Sequence, residues 1–303
     1  MTTEQRVVLV TGASRGAGKG IAIGLATDSV VYVTGRTGDD GVSSLPGTVG
    51  ATAAEINARR GTGIAVVCDH ADNDQVKALF ERIEAEHGHL DILVNNATAL
   101  SDQMPGSRGF WEIDLEPELR CLDVGLRSHY VAAYYAAQLM VPRRQGLIAT
   151  ISSPGATTHV PGVHTPTYGA GKAGTDKMVF DMGCELRPHN VAAISIWPGL
   201  ISTERVQAGM AAMAAVGMRM DGDLFPGVES PEFLGRVIDA AWRDPQLIDK
   251  SGRTFYSAEL AAEYGVTDLD GSSPPSCRDW LGAPSTFPDI APTYAEHLKR
   301  MTP

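Results

Sequence analysis

Six short apolar runs, at 7–10, 30–34, 64–68, 90–94, 147–151 and 191–196, recur along the chain with helical patterns between them. Each is too short for a buried helix and rich in Val, Ile and Leu, as strands covered on both faces are. The stretches near 18–27, 51–60, 73–87, 117–140 and 168–187 read as helices. Alternation of this kind predicts an α/β fold, a doubly wound parallel sheet with helices on both faces. A strand including 253–256, after a helix starting near Pro231, would make about seven strands. In such sheets ligands bind outside the carboxyl ends of the strands. With 303 residues and 43% hydrophobic content, the chain is read as a single domain over 1–303 with one extended core. Three segments break the rhythm. Residues 37–50 read as a Gly-, Ser- and Asp-rich loop, and 200–230, with four of the ten methionines, reads as a mobile lid over a substrate. From about 265 onwards Pro, Ser and Asp predict an irregular C-terminal arm. No internal repeat is found.

Two motifs at strand ends carry chemistry. Thr11-Gly-Ala-Ser-Arg-Gly-Ala-Gly18 follows the first run and opens a helix. Gly12, Gly16 and Gly18 leave room for a tight turn, a pyrophosphate and a close helix–strand approach, with Ser14 and Arg15 inside the turn. Backbone N–H groups and a helix N-terminus there suit an anion. In Tyr168-Gly-Ala-Gly-Lys172 a phenol and an ammonium four residues apart share one helix face. There the cation is expected to stabilise the phenolate and draw the tyrosine's pKa down. Ile151-Ser152-Ser153 ends another run and supplies hydroxyls. Alone, each motif has a plain structural reading, a glycine turn or an exposed helix pair. Together they predict proton transfer beside a bound dinucleotide.

These motifs in this order resemble the short-chain dehydrogenases/reductases, whose marks are TGxxxGxG, an Asn-Asn-Ala-Gly segment, a serine and YxxxK. The resemblance covers roughly residues 5–260 and implies the Rossmann-type form of the fold. A closer resemblance, to the subgroup typified by SDR family member 1, is carried by Phe110-Trp111-Glu112, Val124-Gly-Leu-Arg-Ser-His-Tyr130, Leu139-Met-Val-Pro142, Gln145-Gly-Leu-Ile148, Ser152-Ser-Pro-Gly155 and Ser195-Ile-Trp-Pro-Gly199. The resemblance implies that Tyr168 donates the proton, that Lys172 lowers its pKa and holds the nicotinamide ribose, and that Ser153, rather than Ser152, polarises a carbonyl oxygen. It implies that Asp69 and His70 border the adenine, that Asn95 and Ala97 follow the fourth strand beside the cofactor, and that Pro198, Gly199 and Thr203 hold the nicotinamide. Asp, Asn, Pro and Gly also end strands for purely structural reasons.

Three positions depart from the family pattern. Fifteen residues separate Ser153 from Tyr168, two more than usual, so the loop between them is expected to bulge. Thr98 stands where the family has glycine. Asp123 stands where it has an asparagine whose backbone carbonyl holds a relay water. Asp123 either preserves that role, altering the site's charge as a buried carboxylate near Lys172, or is an ordinary helix residue.

The cofactor choice rests on the end of the second strand, where an acid suits a ribose 2′-hydroxyl and a cation suits a 2′-phosphate. Arg36 stands there and Arg15 lies in the glycine turn, so NADP(H) is favoured over NAD(H), with Asp39 and Asp40 nearby to oppose. A net charge of −11 without a basic run argues against nucleic acid and anionic membranes. No apolar stretch reaches membrane-spanning length, the first residues lack a signal peptide's core, and the four cysteines form no C-x-x-C pair. A cytoplasmic protein with reduced thiols is expected. Of eight histidines only His87 and His89 lie close together, so no metal site is expected.

These readings converge on an NADP(H)-dependent carbonyl reductase or alcohol dehydrogenase acting on a small-molecule carbonyl or alcohol, the methionines suggesting a bulky, apolar ketone. The resemblance implies pairing through the helices near 117–140 and 168–187 into a homodimer or homotetramer, with Tyr130, Tyr134 and Tyr135 in the core or at the interface. The alternative is a non-catalytic NADP(H)-binding or redox-sensing protein in which Thr98 and Asp123 mark lost chemistry.

Overall fold

The computed structural model describes residues 5–38, 45–59, 61–100, 108–161, 163–215 and 228–288. Its sheet has seven parallel strands in the order β3-β2-β1-β4-β5-β6-β9. In chain order these are β1 (Arg6–Val10), β2 (Ser29–Gly35), β3 (Thr62–Val67), β4 (Ile92–Asn95), β5 (Gly146–Ile151), β6 (Val191–Trp197) and β9 (Thr254–Tyr256). The order reverses at β1, so the β1 and β4 ends flank a crevice where a ligand fits. A two-stranded parallel ribbon, β7 (Leu200–Ile201) with β8 (Val228–Glu229), lies beyond β6 and was not legible in the sequence.

The two-residue period of a strand sends neighbouring side chains to opposite faces. Val8 and Val10 of β1 join one core cluster with Ile21 of α1 (Gly16–Gly24) and Phe233 and Ile238 of α8 (Pro231–Arg243). Val7 and Leu9 join another with Phe80 of α3 (Asn73–His87), Ala132 of α5 (Ser128–Met140) and Val179 of α6 (Pro166–Leu186). The expectation of strands buried on both faces holds for β1, β2, β4, β5 and β6 and fails at β3. That strand pairs only with β2, and Val67 is 59% exposed.

Residues 117–140 do not form one helix. α4 (Leu115–Leu122) and α5 are joined by a π-helical turn, Asp123–Arg127, in which Ser128 N–H reaches back to the Asp123 carbonyl. Of the expected lid, the ribbon and α7 (Glu204–Ala215) are seen; Met218 and Met220 lie outside the described residues. Asp39 and Asp40 do too. The C-terminal arm is irregular but anchored as far as it is described. Its one short helix is α10 (Arg278–Leu281), Cys277 packs with Trp197 and Tyr256, and Phe287 lies 5.3 Å from Phe180. Between β9 and the arm runs α9 (Ser257–Tyr264). All four cysteines are free, and no described helix is long and apolar enough to cross a membrane.

The tightest helix pair is α1 against α8, where backbones touch. A Cβ on Gly20 would lie 2.1 Å from the Pro231 carbonyl carbon, and one on Gly235 2.8 Å from Gly24 Cα. Gly20→Ala should therefore push α8 off α1 and destabilise the protein by about 1–3 kcal/mol, the usual cost of overpacking. A Tm equal to that of the unmutated protein in thermal unfolding would rule this contact out.

Candidate active site

The glycine turn is built by the backbone of two strand ends. Gly12 and Gly16 have φ of +66° and +58°, a region that side chains disfavour. A Cβ on Gly18 would sit 2.3 Å from the Gly12 carbonyl oxygen and 2.4 Å from Asn96 Nδ2. Asn96 locks the turn by donating from Nδ2 to the carbonyls of Thr11 (2.9 Å) and Gly12 (3.2 Å). Thr11 Oγ1 in turn accepts from the N–H groups of Asn96 and Ala97 at 2.9 and 3.0 Å. Ala97 thus lies against Gly12, while Asn95 faces inward and donates to the His129 carbonyl at 3.1 Å. Asn96 and Thr11 were passed over as site residues, although both lie within the motifs that were read.

A cleft of about 1160 Å³ opens from this turn. Gly12, Ser14, Arg15, Gly16 and Gly18 line it together with Arg36, Asp69, His70, Ala97, Asp123 and Thr203. Its size and the bare backbone at Gly12 and Gly18 fit an extended dinucleotide. Arg15 is held by its surroundings, its guanidinium donating to the carbonyls of Pro46 (2.9 Å) and Gly47 (2.8 Å) and to Thr37 Oγ1 (3.2 Å). Arg36, just past β2, is exposed. Asp69 pairs with Arg120 at 3.0 Å. His70 is buried against Thr34 Oγ1 at 2.8 Å, and burial lowers its pKa to about 4, so the ring is neutral. Thr203 sits beside Gly16 and caps α7 by accepting from Val206 N–H. Pro198 and Gly199 follow β6, and Gly199 N–H is held at 2.9 Å by the buried carboxylate of Glu229.

The reactive side chains lie at the ends of β5 and α6. Ser153 Oγ accepts from Gly155 N–H at 3.0 Å and is hydrogen-bonded to Tyr168. Ser152 faces the other way and donates to the Lys172 carbonyl at 3.2 Å. The two serine hydroxyls thus have different partners, Ser153 on Tyr168 and Ser152 on the backbone of α6. Lys172 Nζ donates to the Ile151 carbonyl at 2.9 Å and lies 5.8 Å from the centre of the Tyr168 ring. These three residues do not line the cleft itself. Tyr168 is packed between Gly155 and His164, whose ring stacks on it at 5.2 Å. His164 comes from the long loop between Ser153 and Tyr168, so that loop covers one face of the phenol ring.

Two electrostatic expectations need correction. Lys172 does not pull Tyr168 down on balance: burial pushes the phenol up, and only the Ser153 hydrogen bond opposes it. Burial also lowers the Lys172 ammonium to about 8, against the upward pull of Cys121 and Asp176. Nor is Asp123 a buried carboxylate beside Lys172. Its side chain is half-exposed and accepts from Arg127 Nε at 2.6 Å, one turn further on.

Residues 6–213 match the family model of the short chain dehydrogenases. The chain belongs to that family. It is 40% identical over 274 residues to dehydrogenase/reductase SDR family member 1 of Mus musculus, covering 88% of this chain and 84% of that protein. Its fold is similar to that of an actinorhodin polyketide ketoreductase solved with NADPH (TM-score 0.70, 22% identity, 84% of this chain and 97% of that one). It is equally similar to the 3-oxoacyl-[acyl-carrier protein] reductase of Brucella melitensis solved with NAD (TM-score 0.70, 23% identity, 84% and 96%).

One contact in the cleft bears on cofactor entry. Glu204, at the start of α7, accepts from Gly16 N–H at 2.9 Å, placing a carboxylate on the donor that an incoming diphosphate needs. Glu204→Gln should bind the dinucleotide more tightly, by on the order of tenfold, because a competing anion is gone. Quenching of intrinsic fluorescence by NADPH measures it; weaker binding would show that Glu204 helps the ligand instead.

Proposed function

We propose that the protein is an NADP(H)-dependent oxidoreductase that interconverts a bulky, apolar ketone and its secondary alcohol. The observation that carries this reading is the convergence of Ser153, Tyr168 and Lys172 at the carboxyl end of β5, where Ser153 is hydrogen-bonded to Tyr168 and Lys172 Nζ lies 5.8 Å from the centre of its ring. The bound nicotinamide supplies the hydride in reduction and accepts it in oxidation. In reduction Ser153 Oγ holds the carbonyl oxygen, and Tyr168 Oη gives that oxygen its proton. Burial keeps the phenol protonated at neutral pH, which suits the acid role, and Lys172 places a positive charge beneath the ring. Gly12, Gly16 and Gly18 cradle the diphosphate, His70 and Asp69 border the adenine, and Pro198, Gly199 and Thr203 hold the nicotinamide side. The side chains of Leu100, Leu119, Leu122 and Leu126 in the cleft walls support an apolar substrate.

NADP(H) is favoured because Arg36, at the end of β2, stands where a 2′-phosphate would lie and no acid replaces it. Arg15, already committed to two carbonyls and Thr37, adds positive charge there. A homo-oligomer paired across α5 and α6 belongs to the same reading, and Tyr130 and Tyr134 on α5 are each 56% exposed. The four free cysteines accord with a cytoplasmic setting.

The decisive experiment is NADPH oxidation with a panel of ketones. Tyr168→Phe keeps the ring's packing and removes the proton donor, so turnover should fall by about 10²–10⁴-fold with NADPH still bound. A variant reducing its ketone at the normal rate would end this mechanism; binding of NADPH without turnover of any ketone by the unmutated protein would favour a binding or sensing protein.

The pH dependence follows from Lys172. Its pKa is lowered to about 8, so the ammonium is present below that pH and lost above it. Reduction should hold through neutrality and decline as pH rises through about 8. A rate still rising at pH 9 would contradict it.

Arg36→Ala should weaken NADPH by about 1.5–3 kcal/mol, roughly ten- to a hundredfold, and leave NADH nearly unchanged. Equal losses for both cofactors would show that Arg36 does not read the 2′-phosphate.

A further inference from the structure

Lys172 is almost wholly buried, and a buried ammonium needs a compensating charge. Among the described residues the titratable groups facing it are few. Tyr168 and Asp176 lie one helical turn before and after it on α6, Cys121 faces it from α4, and His129 from α5. At neutral pH three of these four are uncharged. Burial raises the Tyr168 phenol and the Cys121 thiol, and lowers His129 to about 3. Asp176 remains.

This carboxyl group is 1% exposed. Its Oδ1 accepts from Ser195 Oγ at 2.6 Å and its Oδ2 from Trp197 Nε1 at 2.9 Å. An indole N–H can only donate, so Oδ2 must accept. With the serine hydroxyl donating to the other oxygen, neither oxygen needs a proton of its own. Burial pushes the Asp176 pKa up, while Ser195, Ser152, Trp197 and the charge of Lys172 pull it down. Ser195 and Trp197 both belong to β6, so the carboxylate is fixed to the sheet rather than free to follow the lysine.

We propose that Asp176 is a positioning residue for the reaction above: its buried carboxylate, anchored on β6, is the counter-charge that keeps Lys172 an ammonium. Tyr168, Lys172 and Asp176 form one stripe on α6 at successive turns, with the acid furthest from the substrate. Asp176 touches neither substrate nor cofactor in this arrangement and acts only through the lysine. The kinetic consequence rests on the reductase reading, whereas the charge coupling does not.

The test is a direct titration. Protein labelled with ¹³C at lysine Cε is followed by NMR from pH 6 to 11, the Lys172 resonance being identified by its loss in Lys172→Met. Asp176→Asn is isosteric and can stay satisfied, because its amide oxygen can accept from Trp197 while the Ser195 hydroxyl turns to accept from its amide N–H. The midpoint for Lys172 should fall by about one pH unit, as when a coupled opposite charge is removed. Ser195→Ala, which keeps the charge and removes one hydrogen bond, should move it far less. The alkaline limb of ketone reduction should shift with the NMR midpoint. An unchanged midpoint in Asp176→Asn, whatever happens to Tm, would reduce Asp176 to a structural anchor and overturn the proposal. Should that variant not fold, Asp176→Ser removes the same charge with less bulk and is judged by the same criterion. A protein that reduces no ketone still yields the midpoint, so the two readings fail separately.

Discussion

The passage of Gly18 beneath the Gly12 carbonyl, 2.3 Å from any Cβ it might have carried, sets the geometry on which the cleft depends. Without a side chain at that point α1 begins close against β1, and its N–H groups face the crevice. Asn96 and Thr11 then tie the β1 and β4 turns together through four hydrogen bonds. Because the sheet order reverses between these strands, that knot stands at the one place where helices diverge to opposite faces. The cleft walls, Arg36 on one side and Asp123 on the other, are consequences of this divergence.

Charge is distributed unevenly around this frame. Burial lowers the pKa values of His70 and His129 to about 4 and about 3, so both rings are neutral at physiological pH. Exposed charges on the cleft rim occur in pairs, Asp69 with Arg120 and Asp123 with Arg127. Such exposed pairs are worth little to stability. Their effect is to hold the side chains aside and leave the cleft open. Arg127, four residues on, takes up the charge of Asp123 near the surface. The carboxylate that matters to Lys172 comes instead from its own helix.

The parallel sheet, five of the buried strands and the glycine turn were legible because each is a local pattern: apolar period and turn glycine. What was missed depends on contacts between distant segments. Glu204 meets Gly16 across 188 residues, and no periodicity announces that. The ribbon of β7 and β8 pairs two residues with two, too short for alternation to register. β3 looked buried because its composition is that of an interior strand, whereas edge position is a property of the sheet. Asp176 was half legible: its spacing from Lys172 put it on the same face, but its burial depends on Ser195 and Trp197 of β6. The phenol's pKa was misjudged for a related reason. A nearby cation was visible in the sequence, and the desolvation that outweighs it was not.

Glu204 also links the glycine turn to α7. Thr203 and Glu204 open α7 and lie against Gly16, so the helix that leads into the 200–230 segment is fastened to the anion cradle by one carboxylate. A diphosphate and a carboxylate cannot share the Gly16 N–H without strong repulsion. Entry of the dinucleotide therefore has to turn the Glu204 side chain away from that N–H. Thr203, whose hydroxyl caps that helix, stays beside Gly16 and can turn its backbone towards the new occupant. The free energy of binding the diphosphate is thus reduced by whatever the Glu204 contact contributes. Occupied and empty clefts should differ first at this side chain, before any substrate is met.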